Sequence, residues 1–163
     1  MTFPQKAEPE ELARREFLAV CVRDELAAAG LAVVPKTFSG DLYPGAEVSV
    51  DPGRDEIGGV HVDWVVSPRL RACARRAVNS GRLDDPAIGY SYRIGAAMVA
   101  AMTAILREAG YTVQPSRDEY RIGELQVTAG PGPEVTPVWA LTDEELRPSA
   151  SPANQADSAG NPG

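Results

Sequence analysis

The chain has two cysteines and one histidine in 163 residues, and Lys6 and Lys36 are its only lysines. Cys21 and Cys73 sit in stretches of helical pattern with no Cys-x-x-Cys spacing and no histidine beside them, which excludes a cysteine-based zinc site and a disulfide framework. They read as free thiols buried among apolar neighbours. A single histidine leaves only scattered carboxylates as further ligands, so no metal site is expected. No Gly-x-Ser-x-Gly elbow presents a nucleophile. Gly89, Gly95, Gly130 and Gly132 form neither of the glycine patterns that cradle phosphate, so no cofactor is expected.

Long apolar runs are also missing. The longest uncharged stretch, 94–106, falls short of the roughly 18 to 20 apolar residues that span a bilayer, so no membrane association is expected. Acids and prolines occupy 1–11, where an export signal would place apolar residues, which points to a cytoplasmic protein. The net charge of −7 repels phosphate backbones and anionic lipid, so nucleic acid is disfavoured as a partner unless a local basic patch supplies it.

What remains is an ordinary globular composition, 44% hydrophobic and 24% charged, long enough for one domain. Alanine, glycine and proline are abundant and arginine replaces lysine, a bias of GC-rich bacterial genomes. Three segments follow: 1–9, flexible; 10–147, a single domain; and 148–163, a tail of small polar residues, proline and glycine that cannot bury enough surface to order itself.

Within the domain, 10–29 reads as a helix with acids in its first turn and Gly30 at its end, broadly buried through Phe17, Leu18, Val20, Val22 and Leu26. Residues 31–34 read as a brief strand or an extended entry into the loop 35–45. Val48 and Val50 mark another, and 60–66 alternates, with Val60, Val62, Trp64 and Val66 toward the core and His61, Asp63 and Val65 on a polar face. Ser67-Pro68 and Asp85-Pro86 open two more helices. The second of them, 87–109, repeats apolar residues through Ile88, Tyr92, Gly95, Val99, Met102, Leu106 and Ala109, which places it at the centre of the fold. Its other side offers Ala97, Ala100, Ala101 and Ala104 for close approach. A second hairpin pairs 111–114 with 120–129, and Gly123 suggests a bulge. Prolines 131, 133 and 137 break regular structure. Residues 138–141 read as an apolar clip onto the core, and Thr142 with Glu145 makes a capping box. The sum is an α+β fold: a small antiparallel or mixed sheet of two hairpins with about three main helices packed against it.

Leu26-Ala-Ala-Ala-Gly-Leu-Ala-Val-Val-Pro35 and Leu106-Arg-Glu-Ala-Gly-Tyr-Thr-Val-Gln-Pro115 agree at five positions. The common use of glycine and proline as punctuation explains this better than a duplicated unit.

Three groups carry chemistry. His61 and Asp63 project from one strand face, roughly 7 Å apart, and a histidine–carboxylate pair does acid–base work near neutral pH. The alternative is that both are ordinary residues of a polar surface. Arg69, Arg71, Arg75, Arg76 and Arg82 make one helix locally basic, with Arg71, Arg75 and Arg82 within about 40° on the wheel. They form either an anion or nucleic-acid contact or a solvated face. The loop of Phe38 and Tyr43 presents rings either to a partner or to the core. By elimination the expected role is a non-catalytic accessory or protein-interaction domain whose partner is another protein or a second copy. The alternatives are a small His61/Asp63 enzyme and a nucleic-acid-associated protein.

Overall fold

The computed structural model describes residues 5–34 and 43–147. The first four residues, Phe38 and the segment 148–163 lie outside the described residues. Eight elements follow in order: α1 (Pro9–Ala28), β1 (Val33–Val34), β2 (Gly45–Asp51), β3 (Gly59–Val65), α2 (Pro68–Asn79), α3 (Pro86–Glu108), β4 (Thr112–Pro115) and β5 (Leu125–Ala129). The strands form one sheet in the order β1-β2-β3-β5-β4. It is mixed, because β1 runs parallel to β2 while every other pair is antiparallel. This is the α+β class that the sequence predicts.

The apolar alternation of the strands decides which face the helices cover. Ala46 and Val48 of β2, Val60 and Val62 of β3, Val113 of β4, and Leu125 and Val127 of β5 are buried against Ala19, Val22 and Leu26 of α1 and Met102 and Leu106 of α3. Each valine, leucine or methionine among them contributes roughly 1.5–3 kcal/mol by leaving water. The helices therefore pack on one face only.

Both helix-to-edge-strand junctions close in the same way. Gly30 and Gly110 take φ values of 87° and 86°, and the next amide reaches back to a buried leucine, Leu31 N to Leu26 O at 3.1 Å and Tyr111 N to Leu106 O at 2.9 Å. This is the glycine-terminated stop in which the amide after the glycine bonds five residues back, and it uses a backbone conformation that a Cβ disfavours. Three of the five shared residues, the leucine, the alanine and the glycine, spell that stop. Beyond it the two copies diverge, since β1 joins β2 in parallel and β4 joins β5 antiparallel.

Several expectations change. Helix α1 buries one narrow stripe, and Phe17 and Val20 are exposed. In α3 only Met102 and Leu106 are buried, and Tyr92 on the same repeat is exposed. Helix α2, with twelve residues, flanks α3, with twenty-three, so it covers about half its length at 1.5 Å per residue. The alanine side of α3 (Ala97, Ala100, Ala101, Ala104) faces outward.

Strand β5 begins at Leu125 rather than at residue 120, because Arg121 gathers the preceding residues into a turn. It pairs with Glu124 at 3.0 Å, Asp118 at 3.4 Å and Asp51 at 3.6 Å, while Asp118 also accepts from the Tyr120 amide at 2.9 Å. Tyr120 and Ile122 alternate like strand residues but point to solvent. Gly123 belongs to this turn, and the register shift lies at Thr112/Val113.

Residues 138–141 do not clip onto the core, as Val138 and Leu141 are exposed. The prolines carry this segment away from the sheet, and Trp139 is held instead by its indole N–H, which donates to Glu25 at 2.9 Å. The Thr142–Glu145 box forms, with Glu145 accepting from the Thr142 amide at 2.9 Å and hydroxyl at 2.8 Å. Within the segment 1–9, Ala7 N bonds Pro52 O and Arg54 N bonds Gln5 O, both at 2.8 Å, which fastens Gln5 to Ala7 on the β2–β3 loop.

Candidate functional site

The face of the sheet away from the helices carries Ser49, His61, Gln114 and Gln126, and two loops close over part of it. The β2–β3 loop folds back so that the Ile57 carbonyl lies 2.8 Å from His61 Nε2. Gln126 Nε2 donates to the carbonyls of Glu56 and Gly58 at 3.1 and 3.2 Å, and Gln114 donates to Gln126 at 3.0 Å. Arg121, from the β4–β5 turn, reaches Ser49 Oγ at 3.4 Å.

His61 is therefore 0% exposed, where the alternation of β3 places it on an open polar face. Alternation assigns a side chain to a face of the sheet, and a loop distant in sequence decides whether that face meets water. Among the described residues the imidazole Nδ1 has no hydrogen-bond partner. No hydrogen bond or ion pair among the described residues joins His61 to Asp63; the imidazole bonds the Ile57 carbonyl instead.

Asp63 sits in a different setting. Burial pushes its carboxyl above the usual range, the backbone at Trp64 opposes this, Glu124 and Glu47 add to the rise, and Arg71 opposes it. Glu47 is its direct partner across the β2–β3 ladder. Because the folded-state pKa is raised, folding favours the protonated acid. That contribution is complete below the unfolded pKa of about 3.9 and is lost as pH rises through the folded value. Asp63→Asn is accordingly expected to raise the thermal midpoint at pH 7, with the gain shrinking toward pH 3. A lower midpoint at pH 7 would show that the attraction to Arg71 outweighs burial.

The arginines of α2 are spread among different neighbours. Arg71 is half-buried and lies close enough to Asp63 to act on its carboxyl. Arg82, beyond the helix, pairs with Asp85 at 2.9 Å. Arg69, Arg75 and Arg76 are exposed, and Arg75 is engaged in an interaction of its own. Tyr43 is exposed just before β2. Among the described residues no group of three His, Cys, Asp or Glu lies close enough together to hold a metal ion, and no helix is long and apolar enough to cross a membrane.

One concavity is announced by no local motif. A groove of about 1390 Å³ runs between α1, the ends of β3 and β5, and the segment 130–139. Phe17, Leu18 and Cys21 come from α1; Val60 and Val127 come from the sheet and Tyr111 from just before β4; Val135, Val138 and Trp139 come from the proline-rich segment. Phe17, Val135, Val138 and Trp139 are 63%, 54%, 103% and 41% exposed. Cys21 is half-buried here, and burial, then Asp24, raise its thiol pKa. A second concavity of about 420 Å³ lies between α3 and the β4–β5 turn, with Asp63, Tyr92 and Ile122 on its wall.

Sequence reasoning passed over the groove because its apolar side chains were assigned to the core. The available signal was the proline spacing at 131, 133 and 137, which keeps the segment out of helix and sheet; it turns instead, at Gly132–Val135 and Pro137–Ala140. Comparisons of this chain with protein-family models, with curated proteins and with solved structures found no match.

Proposed function

We propose that this domain is a non-catalytic protein-interaction module that takes a partner in the groove along α1. The observation that carries this reading is the contiguous apolar exposure of Phe17, Val135, Val138 and Trp139 around a concavity of about 1390 Å³. Scattered exposed apolar residues are ordinary, whereas clustered ones rimmed by charge mark contact surfaces. Glu11, Arg14, Asp24 and Glu108 supply that rim.

Two alternatives draw less support. An acid–base enzyme would need His61 to touch a substrate, and the β2–β3 loop shields it. A phosphate-binding face would need a field of arginines, and two of those on or beside α2 stand next to carboxylates in a chain of net charge −7. On composition, the setting is the cytosol of a bacterium.

A photo-crosslinking phenylalanine analogue at position 17 or 138 is expected to trap one protein in lysate of the native cell, whereas the same analogue at position 69 traps none. Phe17→Glu is expected to abolish the capture and to shift stability by no more than about 0.5 kcal/mol, as exposed substitutions do. Equal yields from all three positions would count against the groove.

A further inference from the structure

The groove is electrically asymmetric. At the end nearest the start of α1 the charges are matched: Arg15 bonds Glu11 at 2.8 Å and the carbonyls of Asp51 and Gly53 at 2.9 and 2.8 Å. Arg14 pairs with Glu11, and Arg117 pairs with Glu56 at 3.2 Å. About 15 Å further along the helix, at 1.5 Å per residue, Asp24, Glu25 and Glu108 line the same groove, and among the described residues no cation pairs with any of them.

Among the described residues the Glu25 carboxylate accepts from the Trp139 indole alone. The nearby cations are committed elsewhere, Arg23 to the Val48 carbonyl at 3.2 Å and Arg107 to the Val113 carbonyl at 3.4 Å. The last turn of α1 contains no basic residue, so the negative end of the helix dipole adds to the carboxylates. On the same groove wall, burial first, then Cys21, Glu25 and Asp24, push the Tyr111 phenol up to about 12.

Resting on the interaction role proposed above, we infer that the groove takes an extended, apolar segment of a partner protein in one direction, with a lysine or arginine of that segment seated among Asp24, Glu25 and Glu108. The volume favours a peptide over a small metabolite, because sites for small molecules occupy roughly 300–1,000 Å³ and enclose most of their ligand. At roughly 3.3 Å per residue, about five extended residues cover the distance from Arg14 to Asp24. Apolar side chains then meet Phe17, Leu18 and Tyr111, and the cation supplies the charge that the far end lacks.

The test selects random dodecapeptides displayed on phage against the full chain, and measures synthetic copies of the winners by fluorescence anisotropy. Winners are expected to share apolar residues followed by lysine or arginine. The double variant Asp24→Lys/Glu108→Lys changes two exposed side chains and leaves the Glu25–Trp139 bond intact. It is expected to weaken those peptides at least ten-fold and, in a repeated selection, to enrich acidic residues at the same position. Phe17→Glu is expected to abolish binding. Winners with no basic preference that are lost on Phe17→Glu would overturn the inference and leave the interaction role standing. Basic winners that survive Phe17→Glu, or no winners at all, would overturn both.

Discussion

His61→Ala is expected to lower the unfolding free energy by about 3 kcal/mol, read as a shift in the urea midpoint at unchanged slope. Two effects add. The imidazole is 0% exposed, so its removal leaves a cavity that the sheet and the β2–β3 loop close only in part. The Ile57 carbonyl, now 2.8 Å from Nε2, loses its donor, which costs about 1–3 kcal/mol for a buried group. A carbonyl only accepts, so Nε2 carries the proton of this bond. His61→Gln keeps a donor of similar reach and is expected to recover part of the loss.

The loop has little room to adjust, because a Cβ on Gly58 would collide with the Gly53 carbonyl oxygen and the Arg15 guanidinium. A loss below about 1 kcal/mol for His61→Ala, the size expected of a surface residue, would show that the loop does not seal this face.

His61 marks where sequence reasoning runs out. The alternation of 60–66 places Val60 and Val62 in the core, and it assigns His61 and Asp63 to the same opposite face, because period-two geometry is local to the strand. Nothing local states that residues 56–58 return over that face, as the bonds from Gln126 and His61 to their carbonyls arise between segments that the fold brings together. Helix starts were legible for the same local reason. Ser67 and Asp85 cap α2 and α3, accepting from Leu70 N and Ala87 N, and proline stands at the first turn of each. The turn at Arg121 was not legible, since its tightest bond is to Glu124, three residues on, while Tyr120 and Ile122 imitate a strand. The groove depends on three separate segments, and each reads alone as ordinary core.

Leu106→Asp is expected to abolish folding, whereas Val99→Asp, one helical heptad earlier, is expected to leave a cooperative domain that is weaker by about 1–2 kcal/mol. The two positions belong to one apolar repeat, and pattern alone makes them equivalent. The structure separates them. Leu106 is 0% exposed within the cluster that joins α1, α3 and the sheet, and its carbonyl accepts the Tyr111 amide that ends α3. A carboxylate there has no partner and no route to water, and a buried unpaired charge costs several kcal/mol, comparable to the whole stability of a small domain. Val99 is only half-buried and lines the open concavity of about 420 Å³ beside the β4–β5 turn. An aspartate there reaches solvent, although Asp63 and Glu124 on the same wall repel it and keep the substitution from being neutral. Circular dichroism with urea denaturation distinguishes the pair. Equal loss of structure in both variants would show that the first half of α3 is held as tightly as the second.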